Sequence, residues 1–282
     1  MTSVALDACL CLLLVSAAAV TVTSVPTPSA EPDRADAVAE TLTATTAEVT
    51  YSLRPVPGTR EANGTVGPEY DRTAHGTLAS LLARAAVRTV RVDGEPLTET
   101  NAGFANAVSE VVRNRLPART QVVVRFQPYP DSHLGRVMRI GPTPPPTADV
   151  HAATVHAPSR ISPPANPEVT AAREGFDGLA RLVATELVAG LFPPEKGRLA
   201  LAGDAPVTRL VRHRYARADD YYGVETAEPV ERGDTEQANS RLSRGVARRV
   251  TGEFRTRFES PEKAAASLRL GSVKISIRTW SA

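Results

Sequence analysis

Five histidines are the first places where this chain could do chemistry: His75, His133, His151, His156 and His213. Two imidazoles hold a zinc ion when they share a helix face or sit beside a carboxylate. His151 and His156 are five positions apart. That spacing puts them on different faces of a helix and on opposite faces of a strand, so they are expected as surface or loop groups, with no metal site assigned. Asp219-Asp220, next to Tyr221-Tyr222, could form a carboxylate pair for acid–base work or for a cation. Neighbouring acids point apart, however, and the tetrapeptide reads more simply as a polar turn with two tyrosines packing inward. A G-x-S-x-G elbow, an H-E-x-x-H helix, a P-loop and a dinucleotide fingerprint are all missing from the sequence. Gly197 and Gly203 form only a loose glycine pair, without the lysine that a phosphate loop needs. No catalytic, cofactor-binding or metal-ligating residue is assigned.

Arginine supplies the most conspicuous pattern. Arg241, Arg244, Arg248, Arg249, Arg255 and Arg257 surround an apolar stripe made by Leu242, Val246, Val250, Phe254 and Phe258, each four residues from the last. Such a helix could meet nucleic acid, an anionic membrane surface or an acidic protein through the first five of these arginines. The simpler expectation is a core-packing helix with a solvated arginine face. Net charge is +2, but the last 48 residues are strongly basic. Asn63-Gly64-Thr65 is a glycosylation sequon in a turn-like stretch, which makes Asn63 a candidate modification site.

The elements that would carry these groups follow from periodicity. Residues 46–160 are expected to form an α+β subdomain. Val49, Tyr51 and Leu53 alternate as a strand. Leu78, Leu81, Leu82 and Ala85 share one helix face, and Val87 to Val92 reads as a strand closed by Asp93-Gly94. Thr100 or Asn101 caps a helix through Leu116. Gln121 to Phe126 and Arg136 to Ile140 are expected to pair across a turn, with another strand at Val150 to Ala157. Prolines between 158 and 167 mark a boundary. Residues 161–282 then read as a helix-rich subdomain that begins at Pro167 and ends in an exposed-face strand over Val273, Ile275 and Ile277. The fold class is therefore α+β, with two subdomains in prospect.

Residues 8–25 are uncharged and rich in Leu, Val and Ala. As a helix they would span about 27 Å, close to the hydrocarbon thickness of a bilayer. A retained signal anchor, a cleaved secretory signal and a buried core helix are the three readings, and the anchor is preferred. Residues 26–45 then read as a linker. Both cysteines, Cys9 and Cys11, fall in the apolar segment, which leaves the remainder without disulfide or thiolate chemistry. The expectation is a single-pass membrane protein with its domain outside the cytoplasm, where nucleic acid is not an expected partner. No small-molecule substrate is identified.

Met1 to Asp7 running into Cys-Leu-Leu-Leu-Val-Ser-Ala, Thr73 to Leu78 and Asp149 to Thr154 resemble an uncharacterised haloarchaeal family of small membrane-anchored proteins that accompany pilin-like or secretion-type surface proteins. The resemblance implies no activity and no functional residues. Two features depart from it. The charge is close to neutral, and no Lys/Arg-Gly peptidase site precedes the apolar run, so the pilin subunit itself is not implied. The expected function is a non-enzymatic accessory component of a surface assembly. The rivals are an exported hydrolase without a recognisable motif and an anion-binding module built on residues 241–257.

Overall fold

The computed structural model describes residues 34–58 and 67–281, and segment 8–25 and Asn63 lie outside these. The first described element is helix α1 (Arg34–Ala44). Much of the expected linker is therefore ordered structure. Its composition conceals short apolar positions, Ala35, Val38, Ala39 and Leu42, which are buried. Strands β1 (Thr46–Ser52) and β2 (Asp71–Thr77) pair antiparallel from Thr46↔Thr77 to Ser52↔Asp71.

Helix α2 (Leu78–Arg88) starts at an N-cap where the Thr77 side chain accepts from the Ser80 amide. It continues through Val87, so the strand expected over residues 87–92 shrinks to β3 (Arg91–Val92), which meets β4 (Glu95–Pro96). Val87 and Val90 suggested a strand by their branching, but Val87 packs in the core as part of the helix's apolar face. Helix α3 (Ala102–Arg113) follows.

Strands β5 (Thr120–Phe126), β6 (Leu134–Ile140), β7 (Val150–Pro158) and β8 (Ser272–Trp280) complete a six-stranded antiparallel sheet of order β4-β3-β6-β5-β8-β7. The hairpin between β5 and β6 has the expected partners, including Val122↔Ile140 and Val124↔Met138. The last strand is not peripheral. It lies between β5 and β7, so the sheet joins the two expected subdomains.

Alternation gives the sheet two unlike faces. Val122, Val124, Ile275 and Ile277 point into the core beneath α1 and α2. Arg125, Arg139, Lys274 and Arg278 occupy the opposite face and are exposed.

The second half is helical. Helix α4 (Pro167–Leu191) contains one break, at Gly175 (φ 63°, ψ −155°). Helices α5 (Pro194–Leu201), α6 (Val207–Tyr222), α7 (Ala227–Glu231), α8 (Thr235–Arg257) and α9 (Pro261–Ala266) follow. Helix α8 packs along α4, with Leu242, Val246, Val250 and Phe254 buried as their four-residue spacing requires. Among the described residues no helix is long and apolar enough to cross a membrane.

Candidate anion-binding cleft

Where β1, β2 and α2 meet the end of α4, α5 and α6, the surface opens into a cleft of about 510 Å³. Six cationic side chains line it: Arg72, Arg84, Arg88, Arg160, Lys196 and Arg214. Among the described residues no Asp, Glu or His does.

Five pieces of the fold hold the six cations. Arg84 and Arg88 are one helical turn apart on α2, so both face the cleft. The Arg84 guanidinium donates from Nη1 to the His75 carbonyl at 3.0 Å, and the Arg88 guanidinium from Nη1 to the Tyr51 hydroxyl at 3.1 Å. Both lie over the Phe104 ring, at 5.5 and 5.1 Å from its centroid. Arg214, on α6, lies over Phe192 at 5.0 Å. Phe192 in turn packs on Tyr215, whose hydroxyl donates to Asn239 Oδ1. Asn239 Nδ2 closes the loop by donating to the Phe192 carbonyl. Arg160 follows β7 in a left-handed conformation (φ 66°), and it and Lys196 are exposed at the mouth. Between the charges the lining mixes apolar side chains, including Leu53, Leu191, Leu210 and Val211, with the polar Thr100, Asn101 and Ser159.

Like charges gathered without a carboxylate oppose one another. Burial lowers the Arg84 pKa, and Arg88 and Arg160 lower it further. Arg214 is pushed down to about 10, first by burial and then by Arg88. Its Nε is buried with no hydrogen-bond partner among the described residues. A partly desolvated, unpaired guanidinium is a standing penalty that an anion would relieve. Arg214→Met should therefore stabilise the protein without ligand by about 1 kcal/mol. Thermal unfolding checks it: an unchanged or lowered midpoint would mean that Arg214 is already well compensated by Phe192.

The groups singled out by sequence lie elsewhere. Arg241 binds Glu228 and the Glu225 carbonyl, Arg255 binds Asp177, and Arg248 approaches the carbonyls of Tyr222 and Gly223. Arg249 bridges Asp93 and Glu253, and Arg257 binds Glu253. Arg244 lines a second groove between α4 and α8. The helix 241–257 thus spends most of its charge inside the molecule. Asp219 and Asp220 sit at the end of α6 rather than in a turn. Asp219 accepts from the Thr226 amide and hydroxyl, while Asp220 pairs with Arg217, so the two carboxylates serve different partners. Gly197 lies within α5. His151 and His156 lie on β7 and are exposed. Among the described residues no three His, Cys, Asp or Glu are grouped to hold a metal ion.

One histidine occupies a site that spacing did not reveal. His133 and Glu253 are buried together, with Nδ1 2.7 Å from Oε1. His133 Nε2 is 3.0 Å from the Tyr222 hydroxyl. Glu253 Oε2 accepts from the Tyr129 hydroxyl at 3.0 Å and from the His133 amide at 3.2 Å. Burial opposes the charge on Glu253, yet the His133 contacts and Arg257 outweigh it and hold the carboxyl down to about 2. Burial, followed by the neighbouring Glu253 charge, raises the pKa of both Tyr129 and Tyr222. With His133 and Glu253 buried and Arg249 and Arg257 reaching to the surface, this cluster clamps α8 to the loop before β6.

Residues 6–280 match a family model described as a family of unknown function, DUF7284. The chain belongs to that family. No curated protein matches it. No solved structure matches it either. The DUF7284 match spans both halves of the fold, and with them every segment that lines the cleft.

Proposed function

We propose that this DUF7284 protein is a non-enzymatic, membrane-tethered extracytoplasmic protein whose folded part works by holding an anionic ligand in the cleft. The observation that carries this reading is the gathering of six cations around about 510 Å³ without one carboxylate among the described residues. Such a lining binds negative charge, and among the described residues it has no imidazole or carboxylate with which to move a proton. Ser159 is the lining hydroxyl nearest to a nucleophile in type, but its Oγ donates to the Leu270 carbonyl and accepts from the Ile161 amide. That arrangement favours binding over hydrolysis.

The apolar segment 8–25 and the resemblance to haloarchaeal proteins that accompany pilin-like or secretion-type proteins support a place in a surface assembly. In that setting the cleft would take an anionic group from a partner or from the medium.

Titration calorimetry of the full chain with inorganic pyrophosphate tests the cleft. Saturable binding is expected, and Arg84→Gln with Arg88→Gln should weaken it by at least about tenfold, since charge-assisted hydrogen bonds are the strong ones. Absence of binding, or binding indifferent to those substitutions, overturns the reading. Recovery of the protein at full mass entirely in the soluble fraction would remove the tether.

A further inference from the structure

The open face of the sheet is a second cationic surface, remote in kind from the cleft. Register places Arg125 opposite Lys274, Val123 between Arg139 and Ser276, and Gln121 opposite Arg278. Lys274 pairs on its other side with His156. Arg125, Arg139, Lys274, Ser276 and Arg278 point away from the core, because the alternate positions Val122, Val124, Ile275 and Ile277 point into it, whereas Gln121, at the end of this face, is buried and donates to Thr143 Oγ1. Arg125, Arg139, Lys274 and Arg278 are exposed, and none makes an ion pair or hydrogen bond among the described residues. Strands β5 to β8 contain no Asp or Glu at all.

From this we infer that the open sheet face docks on an anionic membrane surface, an inference that rests on the tethered reading above. Charge complementarity sets the sign of the partner. Flatness sets its scale: small side chains, Ala152, Thr154 and Ser276, lie between the cations, so nothing encloses a small ligand. The exposed positions carry no aromatic side chain on which a base could stack, and Trp280 at the end of β8 is buried. That disfavours single-stranded nucleic acid. The chain outside the described part supplies the remaining argument. Eight residues separate the end of segment 8–25 from Arg34, which span at most about 30 Å. Helix α1 packs on the core side of the sheet, so the tether leaves the opposite basic face uncovered, and a domain held that close to a bilayer meets its headgroups at high local concentration.

The chain's three lysines provide the readout: Lys196 in the cleft, Lys263 on α9 and Lys274 on the sheet face. The full chain is reconstituted with phosphatidylcholine vesicles, with and without phosphatidylglycerol, and amine acylation at each lysine is followed by mass spectrometry. Phosphatidylglycerol should slow Lys274 labelling by roughly tenfold relative to Lys263. High salt should abolish that protection. Replacing Arg125, Arg139 and Arg278 by Gln should also abolish it, while Arg→Lys replacement at the same positions should retain it. Equal Lys274 labelling on both vesicles overturns the inference. So does protection by polyglutamate or an RNA oligomer where phosphatidylglycerol gives none. Failure of the chain to remain with phosphatidylcholine vesicles counts against the tether alone, and loss of pyrophosphate binding counts against the cleft alone, so the three ideas fail separately.

Discussion

Glu253→Ala should lower the stability of the folded protein by about 3–5 kcal/mol, the range for removing one partner of a buried ion pair. The side chain is 9% exposed and serves four groups: His133, Tyr129, Arg249 and Arg257. Removing it strands a buried tyrosine hydroxyl and leaves two arginines and a histidine without their common anion. Glu253→Gln keeps the volume and the hydrogen-bond acceptor and should lose less. Chemical denaturation of the three proteins measures the difference, and a loss under about 1 kcal/mol for Ala would show that the cluster is already solvated.

The same carboxylate sets an acid limit. Its pKa in the folded protein, about 2, lies below the ordinary value of 4.5. A depressed acid stabilises the fold above its unfolded pKa, and that contribution is lost as pH falls through the folded one. Between about pH 4.5 and pH 2 the protein should lose about 3 kcal/mol through this group. Glu253→Gln should flatten that part of the stability curve, and an unaltered acid limb in the variant would assign the transition to other carboxylates.

Helices α2, α3, α4 and α8 and the central hairpin were readable because their core is periodic, whereas α6, with only Leu210, Tyr215 and Ala218 buried, gave no such stripe and its end was expected as a turn. Leu242, Val246, Val250 and Phe254 recur every fourth residue, and β5 alternates Val122, Val124 and Phe126 inward. Helix α1 was hidden because two of its buried residues are alanine, set in a stretch whose acids and prolines read as linker. The final strand showed its alternation but not its place. Exposed Lys274 and Arg278 describe one face correctly, whereas only long-range pairing reveals that two strands flank it. The cleft was illegible for a different reason. Apart from Arg84 and Arg88, its cations come from separate segments, β2, the loop after β7, α5 and α6. The arginines of α8 stood out because they are local, yet apart from Glu253 on the same helix the acids that occupy them, Asp93, Asp177 and Glu228, lie outside α8. Density of charge along the chain marked where cations are, and only the fold distinguishes those already neutralised from those left over.

Phe104→Ala should be comparably damaging, at about 3–5 kcal/mol for loss of a buried aromatic side chain. The ring is fully buried against Tyr51, with centroids 4.7 Å apart, and forms the platform beneath Arg84 and Arg88. The substitution should therefore act twice. It opens a cavity under α3, and it withdraws the surface that fixes two guanidinium groups at the cleft. Phe104→Leu separates the two effects. Leucine refills much of the volume and should recover most of the stability, since size-matched apolar replacements are tolerated. It offers no ring face to the arginines, so pyrophosphate binding should remain several-fold weaker than in the unaltered protein. Unfolding and calorimetry on the same samples decide the matter. If Phe104→Leu restores stability and affinity together, the ring only fills space. If stability returns without affinity, the aromatic face is part of how the fold aims its positive charge.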